Sequence, residues 1–520
     1  MSNDIKILWA DDEIDLLKPH VLFLEQKGFK ITTVNSGDKV LDLIKKEQFD
    51  IIFLDENMPG MSGLDVLPSI KAGKPSLPVI MITKSEEEHL MEDAIGSRIS
   101  DYLIKPVHPN QILLAIKKNL DTSRLINEKT TSNYREEFSI IGATLSDKLT
   151  TDGWIEVFRK LVFWELELEK TRNEGMSEIF DAQKNEANQQ FYKSVVQNYL
   201  NWINERGDDV PLMSHRLFNY KIAPYINNDS CTYMVLIDNL RYDQWNVIKP
   251  VLSELFRIEK DELYFSILPT ATQFSRNAIF SGLLPSNIAR QFPNLWKEEG
   301  ETGGKNLNEQ SFIESQLIRL RKDVKFTYNK ITNLEAGKKL AEQIHDMATY
   351  NLNVIVYNFV DMLSHARTDM EVIKELAQDE AAYRSLTLSW FEHSPLLEIF
   401  RKIAEQKSMV IVTTDHGSVR VKNPVKVIGD RNTSTNLRYK QGRNLNYNPR
   451  QVFEIKKPED AFLSKANISS SYIFAGESDF FVYPNSQNHF IKYYKDTFQH
   501  GGISMEEMLL PVITMYSKTI

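Results

Sequence analysis

Between Pro109 and Pro211 this chain contains no proline. A hundred residues free of the one residue that cannot continue a helix, with charged and apolar positions at helical spacing in Trp154–Lys170 and Ser177–Asn204, predict a helical bundle. On either side the pattern changes to short apolar strands separated by amphipathic stretches. On the amino-terminal side these are Ile5–Ala10, Lys30–Val34, Ile51–Leu54, Val79–Thr83 and Asp101–Ile104; on the other they are Tyr233–Asp238, Val354–Asp361, Met409–Asp415 and Ser471–Phe474. Such alternation predicts parallel sheets covered by helices, so the expected class is α/β with a bundle between two sheet domains. The expected boundaries are 1–122, 123–208 and 209–520, in keeping with 520 residues at about 150 per domain.

Composition narrows the chemistry. Lys and Arg total 62 against 71 Asp and Glu, a formal charge of −9, which disfavours a protein that coats nucleic acid. The lone cysteine, Cys231, rules out an internal disulfide and a cysteine-built zinc site, and a reducing compartment fits. The first strand starts within five residues, with no basic and apolar leader pattern and no run long enough to span a membrane. A cytoplasmic protein without membrane insertion is expected.

In the first sheet domain Asp11 and Asp12 follow the first strand, Asp55 ends the third, Thr83 ends the fourth and Lys105 follows the fifth. Open parallel sheets bind ligands at these carboxyl ends. Three converging carboxylates need a hard cation, which magnesium supplies, and Asp55 is then placed to accept a phosphoryl group whose oxygens Lys105 and Thr83 engage. With Met58-Pro59-Gly60 and Lys105-Pro106, this order resembles the receiver domain of response regulators, a flavodoxin-like doubly wound sheet. The resemblance implies magnesium at Asp11, Asp12, Asp55 and the Asn57 carbonyl, phosphorylation of Asp55 by a sensor histidine kinase, and a switch in which Tyr102 reorients as Thr83 moves.

In the second sheet domain three apolar strands run into aspartates, at Asp238, Asp361 and Asp415, with His365 four residues beyond Asp361, His416 next to Asp415, and His500 before Gly501-Gly502. Three Asp and three His suit two borderline metals such as zinc. The segment Leu268–Arg276 offers Thr270 and Thr272 as hydroxyl nucleophiles, and the residues alone leave the choice between them, or a capping role, open. The set resembles the alkaline phosphatase superfamily, most closely its PglZ branch. That resemblance implies one zinc at Asp238, Thr272, Asp415 and His416, and another at Asp361, His365 and His500. It makes Thr272 the nucleophile, since Thr272 lies ten residues before Gly282 as in the diesterase pattern. Sulfatases in the superfamily need a nucleophilic cysteine, and Cys231 is misplaced for that role. Between Ser418 and Arg450 eight basic residues face one acidic residue, so a phosphodiester-binding loop is expected, with Arg431 and Arg438, beside Arg276 and Asn294, as substrate contacts and Tyr439 and Tyr447 as stacking platforms.

Taken over its full length, the order receiver, bundle and PglZ-like domain resembles the PorX-like family of response regulators. The resemblance implies a zinc phosphodiesterase acting on cyclic or linear oligonucleotides, dimerisation on phosphorylation, and control of type IX secretion and gliding motility. A second expectation is a protein-binding platform for a secretion-motor component or sigma factor, with structural zinc and little catalysis.

Overall fold

The structure is a computed structural model. It describes residues 5–74, 77–84, 99–171, 174–227, 230–298, 301, 304–358, 360, 361, 363, 379–430, 433–465, 470–484 and 487–518, apart from the side chains of 121–129, 174 and 487. The chain divides into two compact units, 1–137 with 170–173, and 138–169 with 174–520. Of the segment 123–208, expected as a helical bundle linker, 123–137 and 170–173 fall in the first unit and the rest in the second. Among the described residues no helix is long and apolar enough to cross a membrane.

The first unit carries β1 (Lys6–Ala10), α1 (Lys18–Gln26), β2 (Lys30–Val34), α2 (Gly37–Lys46), β3 (Ile51–Asp55), α3 (Gly63–Gly73), β4 (Val79–Thr83), β5 (Asp101–Ile104) and the start of α4 (Pro109–Ser146). The strands form one all-parallel sheet in the order β2-β1-β3-β4-β5. Both faces are covered, which is why β3 and β4 are buried along their whole length and apolar up to Asp55 and Thr83 at their ends. One face packs Leu8, Ile52, Leu54 and Met81 beneath α2 and α3, and the other packs Ile7, Trp9, Phe53 and Ile80 beneath Ile112 and Ile116 of α4. A capping box between Ser62 and Asp65 starts α3 just beyond Asp55.

In the second unit α5 (Thr151–Glu169) and α6 (Glu174–Ile203) precede β6 (Thr232–Ile237), α7 (Tyr242–Leu255), β7 (Phe256–Phe265), α8 (Thr272–Ser281), α9 (Glu309–Arg319), β8 (Phe326–Ile331), α10 (Leu334–Met347), β9 (Leu352–Tyr357), α11 (Glu380–His393), α12 (Pro395–Glu405) and β10 (Met409–Thr413). After these come β11 (Tyr439–Gly442), β12 (Val452–Ile455), β13 (Ser471–Ala475) and β14 (Leu509–Ser517), with shorter strands between them. The central sheet has the order β7-β14-β10-β6-β9-β8, in which β10, β6, β9 and β8 run parallel and β14 is antiparallel to β10 and β7. The carboxyl ends of β6, β9 and β10 therefore open on one edge, where the candidate site lies.

Two of the expected bundle helices are bound to this domain by its core and by a charge network. Trp154 of α5 packs edge-on to Phe191 of α6, with ring centroids 5.3 Å apart, and Trp202 of α6 packs on Phe265 of β7. The Arg384 guanidinium on α11 reaches Glu165 at 2.8 Å and Glu169 at 2.7 Å on α5, and Asp243 at 3.0 Å on α7. Lys184 of α6 pairs with Glu165 at 2.9 Å and with Glu506 at 3.2 Å. Burial alone would raise the Glu165 carboxyl, but Lys184 and Arg384 hold it down at about 2. A helix pair tied by buried ions cannot separate without stranding charges, which explains why these helices belong to the unit they serve.

Candidate functional site

In the first unit Asp11 and Asp55 are buried and Asp12 is exposed, and one carboxylate oxygen from each lies within 4.8 Å of the others. Lys105 enters from beyond β5, its Nζ 3.0 Å from both Asp11 Oδ2 and Asp55 Oδ1. Burial pushes the Asp55 carboxyl up to about 6, with Asp11 and Asp12 adding to the rise and Lys105 opposing it. A divalent cation would relieve that crowding, so the residues fit magnesium. Thr83 is buried and its hydroxyl donates to the Glu56 carboxylate, while Tyr102 on β5 is 39 % exposed. The Asn57 side chain is exposed.

The second site gathers residues far apart in sequence. Asp238 follows β6, Asp415 and His416 follow β10, and Thr272 opens α8, which Gly282 ends in a left-handed conformation. Asp361 differs from its expected place. β9 stops at Tyr357, and Val360 and Asp361 are helical, so the carboxylate is carried just beyond the strand rather than on its end. His365 and Arg431 lie outside the described residues.

Two groups of three donors form, Asp238 with Asp415 and His416, and Asp361 with His416 and His500, each within 4.8 Å. His416 belongs to both. Its Nε2 is 3.5 Å from Asp238 Oδ1 and 3.0 Å from Thr272 Oγ1, and its ring stacks on that of His500 with centroids 4.1 Å apart. His500 Nε2 lies 3.8 Å from Asp361 Oδ1. Gly417 is needed directly after His416, because a Cβ there would sit 2.0 Å from the Glu506 carbonyl oxygen. Gly501, at φ +120°, turns the chain after His500 through a conformation that only glycine takes without strain.

The donor set fits divalent metal. Asp238 Oδ1 and Asp415 Oδ1 are buried and make no hydrogen bond among the described residues, an expensive arrangement unless a cation faces them. Burial pushes the Asp238 carboxyl up, Asp415 adds to that, and Arg276 pulls against it. A mixed Asp and His set matches zinc.

The two threonines have separate environments. Thr270 is fully buried and its hydroxyl donates to the Gly502 carbonyl at 2.9 Å and accepts from the Gly501 N–H at 3.0 Å, so it ties the segment before α8 to the His500 turn. Thr272 is partly exposed and its hydroxyl faces His416.

Of the four expected substrate contacts, three lie within the described residues, and two of those are buried. Arg276 is buried among Asp238, Asp415 and Glu309, because α8 is buried from Gln273 to Ser281 and turns this side chain inward. Arg438 is buried against Glu507 and the carbonyl oxygens of Gly476 and Asp479. Asn294 sits exposed in a turn after Gln291. Lys440 is also buried, donating to the Ser434 carbonyl, and Tyr439 packs edge-on to Phe274 rather than offering a face to a base. The basic stretch is thus partly a structural element, with Lys422, Lys426, Arg443 and Arg450 exposed. Glu309 escaped the sequence reading, since it sits in an ordinary amphipathic helix with nothing local to mark it. The pairing of Glu507 with Arg438 likewise has no local signal.

Family comparison agrees with this geometry. A model of the BREX system PglZ alkaline phosphatase-like domain matches residues 217–515, more than half of the chain. The chain belongs to this PglZ family. The PorX response regulator linker domain matches residues 124–203 and the response regulator receiver domain matches 7–117. The chain is therefore a receiver joined through a PorX-type linker to a PglZ domain, and the receiver implies a phosphodonor such as a histidine kinase. Among curated relatives, the alginate biosynthesis regulator AlgB of Pseudomonas putida is 34 % identical over 124 residues, covering 24 % of this chain and 28 % of AlgB. The transcriptional regulator ZraR of Escherichia coli K12 is 29 % identical over 143 residues, 27 % of this chain and 32 % of ZraR. The chain thus spans about a third or less of these relatives. Among solved structures, the receiver domain of NtrX from Brucella abortus matches with 30 % identity and a TM-score of 0.21, covering 22 % of this chain and 98 % of that one.

Proposed function

We propose that this chain is a phosphorylation-controlled response regulator whose output is a zinc-dependent phosphodiesterase acting on cyclic or linear oligonucleotides. The observation that carries the reading is the 3.0 Å contact between Thr272 Oγ1 and His416 Nε2, at the point where two three-donor groups share His416. Asp238, Asp415 and His416 would hold one zinc, and Asp361, His416 and His500 face the other, with His365 as a further donor from the family pattern. Bound zinc would lower the pKa of a hydroxyl beside it and draw charge from the phosphoryl oxygens.

The chain's own residues set the proton path. His416 Nδ1 faces the Gly417 carbonyl at 3.1 Å, and a carbonyl can only accept. Nδ1 therefore carries the proton and Nε2 offers its lone pair. With no metal bound the Thr272 hydroxyl donates to it; with zinc bound Nε2 would be the ligand instead, and Thr272 Oγ1, 3.0 Å away, would be left facing the same site with its oxygen available for attack on phosphorus. Thr272 is the first residue of α8, whose unpaired N–H groups favour an anion there. Attack on a diester forms the Thr272 Oγ1–phosphorus bond and expels one alcohol, and water then breaks that bond to release the monoester.

Phosphorylation of Asp55 would draw the Thr83 hydroxyl from Glu56, reorient Tyr102 and favour a receiver dimer. As in the regulators it resembles, the output would serve type IX secretion and gliding. The test is a panel of matched mono- and diesters, including cyclic oligonucleotides, offered to zinc-replete protein with and without a phosphoryl mimic. Diesters are expected to turn over faster than monoesters. A zinc-replete protein inert toward the whole panel sinks the proposal.

A further inference from the structure

Arg276 is the largest positive feature inside the Asp238 group, and nothing about its surroundings admits a substrate. Its side chain is 0 % exposed. Nε donates to Asp415 Oδ2 at 2.9 Å and Nη2 is in ion-pair contact with Asp238 Oδ2, so one edge of the planar guanidinium meets one oxygen of each aspartate. The oxygens left over, Asp238 Oδ1 and Asp415 Oδ1, are both buried and make no hydrogen bond among the described residues. On its far side Nη1 faces Glu309 Oε1 at 3.4 Å and Asn358 Oδ1 at 3.5 Å. Glu309 is in turn held by Lys330 at 2.8 Å and the Tyr328 hydroxyl at 2.6 Å.

The charges nearly cancel without any metal. Three buried carboxylates, Asp238, Asp415 and Glu309, face two cations, Arg276 and Lys330. We infer that Arg276 is a resident cation of the Asp238–Asp415–His416 group, which lets that group stay folded while empty and opposes a divalent ion that enters it. This rests on the reading that the group binds metal, and it extends that reading to how tightly and how reversibly. The fork orients the two aspartates with Oδ1 forward, which favours an ion. The positive charge sits against the same carboxylates and lowers the ion's affinity. At contact distances the Coulomb term outweighs the orientation term even at surface-like screening. Metal at this group is therefore exchangeable rather than a condition of folding.

The experiment uses the full chain, with zinc affinity measured by chelator competition and thermal unfolding followed in chelator and in excess zinc. Arg276→Met removes the charge and keeps much of the bulk. It is expected to bind zinc at least about tenfold more tightly than the parent protein, to melt earlier in chelator, and to recover on adding zinc. Arg276→Lys keeps the charge without the fork and is expected to stay within about threefold of parental zinc affinity. An Arg276→Met protein that binds zinc no more tightly, or that fails to fold with zinc as well as without it, overturns the inference. So does an Arg276→Lys protein that tightens as much as the Met variant, since shape rather than charge would then be responsible. A parent protein that takes up no zinc contradicts the metal reading itself and the inference with it.

Discussion

Thr272→Val is expected to lower hydrolysis of a chromogenic phosphodiester by at least about 10³-fold, while zinc content stays close to that of the parent protein. Valine reproduces the shape of threonine and removes only the hydroxyl that faces His416. The Asp and His donors of both groups remain, so metal loss would not explain the defect. The partly exposed hydroxyl is free to meet substrate in a way that the Thr270 hydroxyl, bonded to Gly501 and Gly502, is not. Parallel assays with the mutant and parent at equal zinc check this, and full activity in the mutant would remove Thr272 from the mechanism.

The second large effect is expected at His416. Each three-donor group contains it, so His416→Ala removes a donor common to both. Hydrolysis should fall on the order of 10³-fold or more, and, in contrast to Thr272→Val, zinc bound after dialysis should fall with it. The comparison separates a reacting group from a metal ligand. Replacement of His215 makes a control, because that histidine is only partly buried, beside Glu205, and lies outside both groups. A His416→Ala protein that keeps parental zinc would show that the two groups are not metal sites.

Much of this was legible in the sequence for a simple reason. A strand buried on both faces is an apolar run, and a carboxylate after it stands out, which is how Asp55, Asp238 and Asp415 were found. Asp361 was found on the same logic but misplaced, because the apolar pattern runs on past Tyr357 where the backbone has already left the sheet. Contacts between distant segments were illegible. Arg276 and Asp415 are 139 residues apart, and no local pattern says that an arginine four positions after Thr272 turns inward. Charge counting failed over 418–450 for a related reason. It cannot tell Arg438, buried on Glu507, from Arg443 on the surface. The bundle was legible as helices, but the ion pairs and hydrogen bonds that tie Glu165, Lys184 and Asn188 to Arg384 and Glu506 join segments too far apart in sequence to leave a local signal.

The measurement that bears most directly on the central claim is the configuration at phosphorus when a chiral phosphorothioate diester is hydrolysed by the zinc-replete protein. Attack by Thr272 followed by attack of water inverts the centre twice, so the account predicts net retention. Net inversion would mean that water attacks the diester directly, and would contradict a threonine nucleophile.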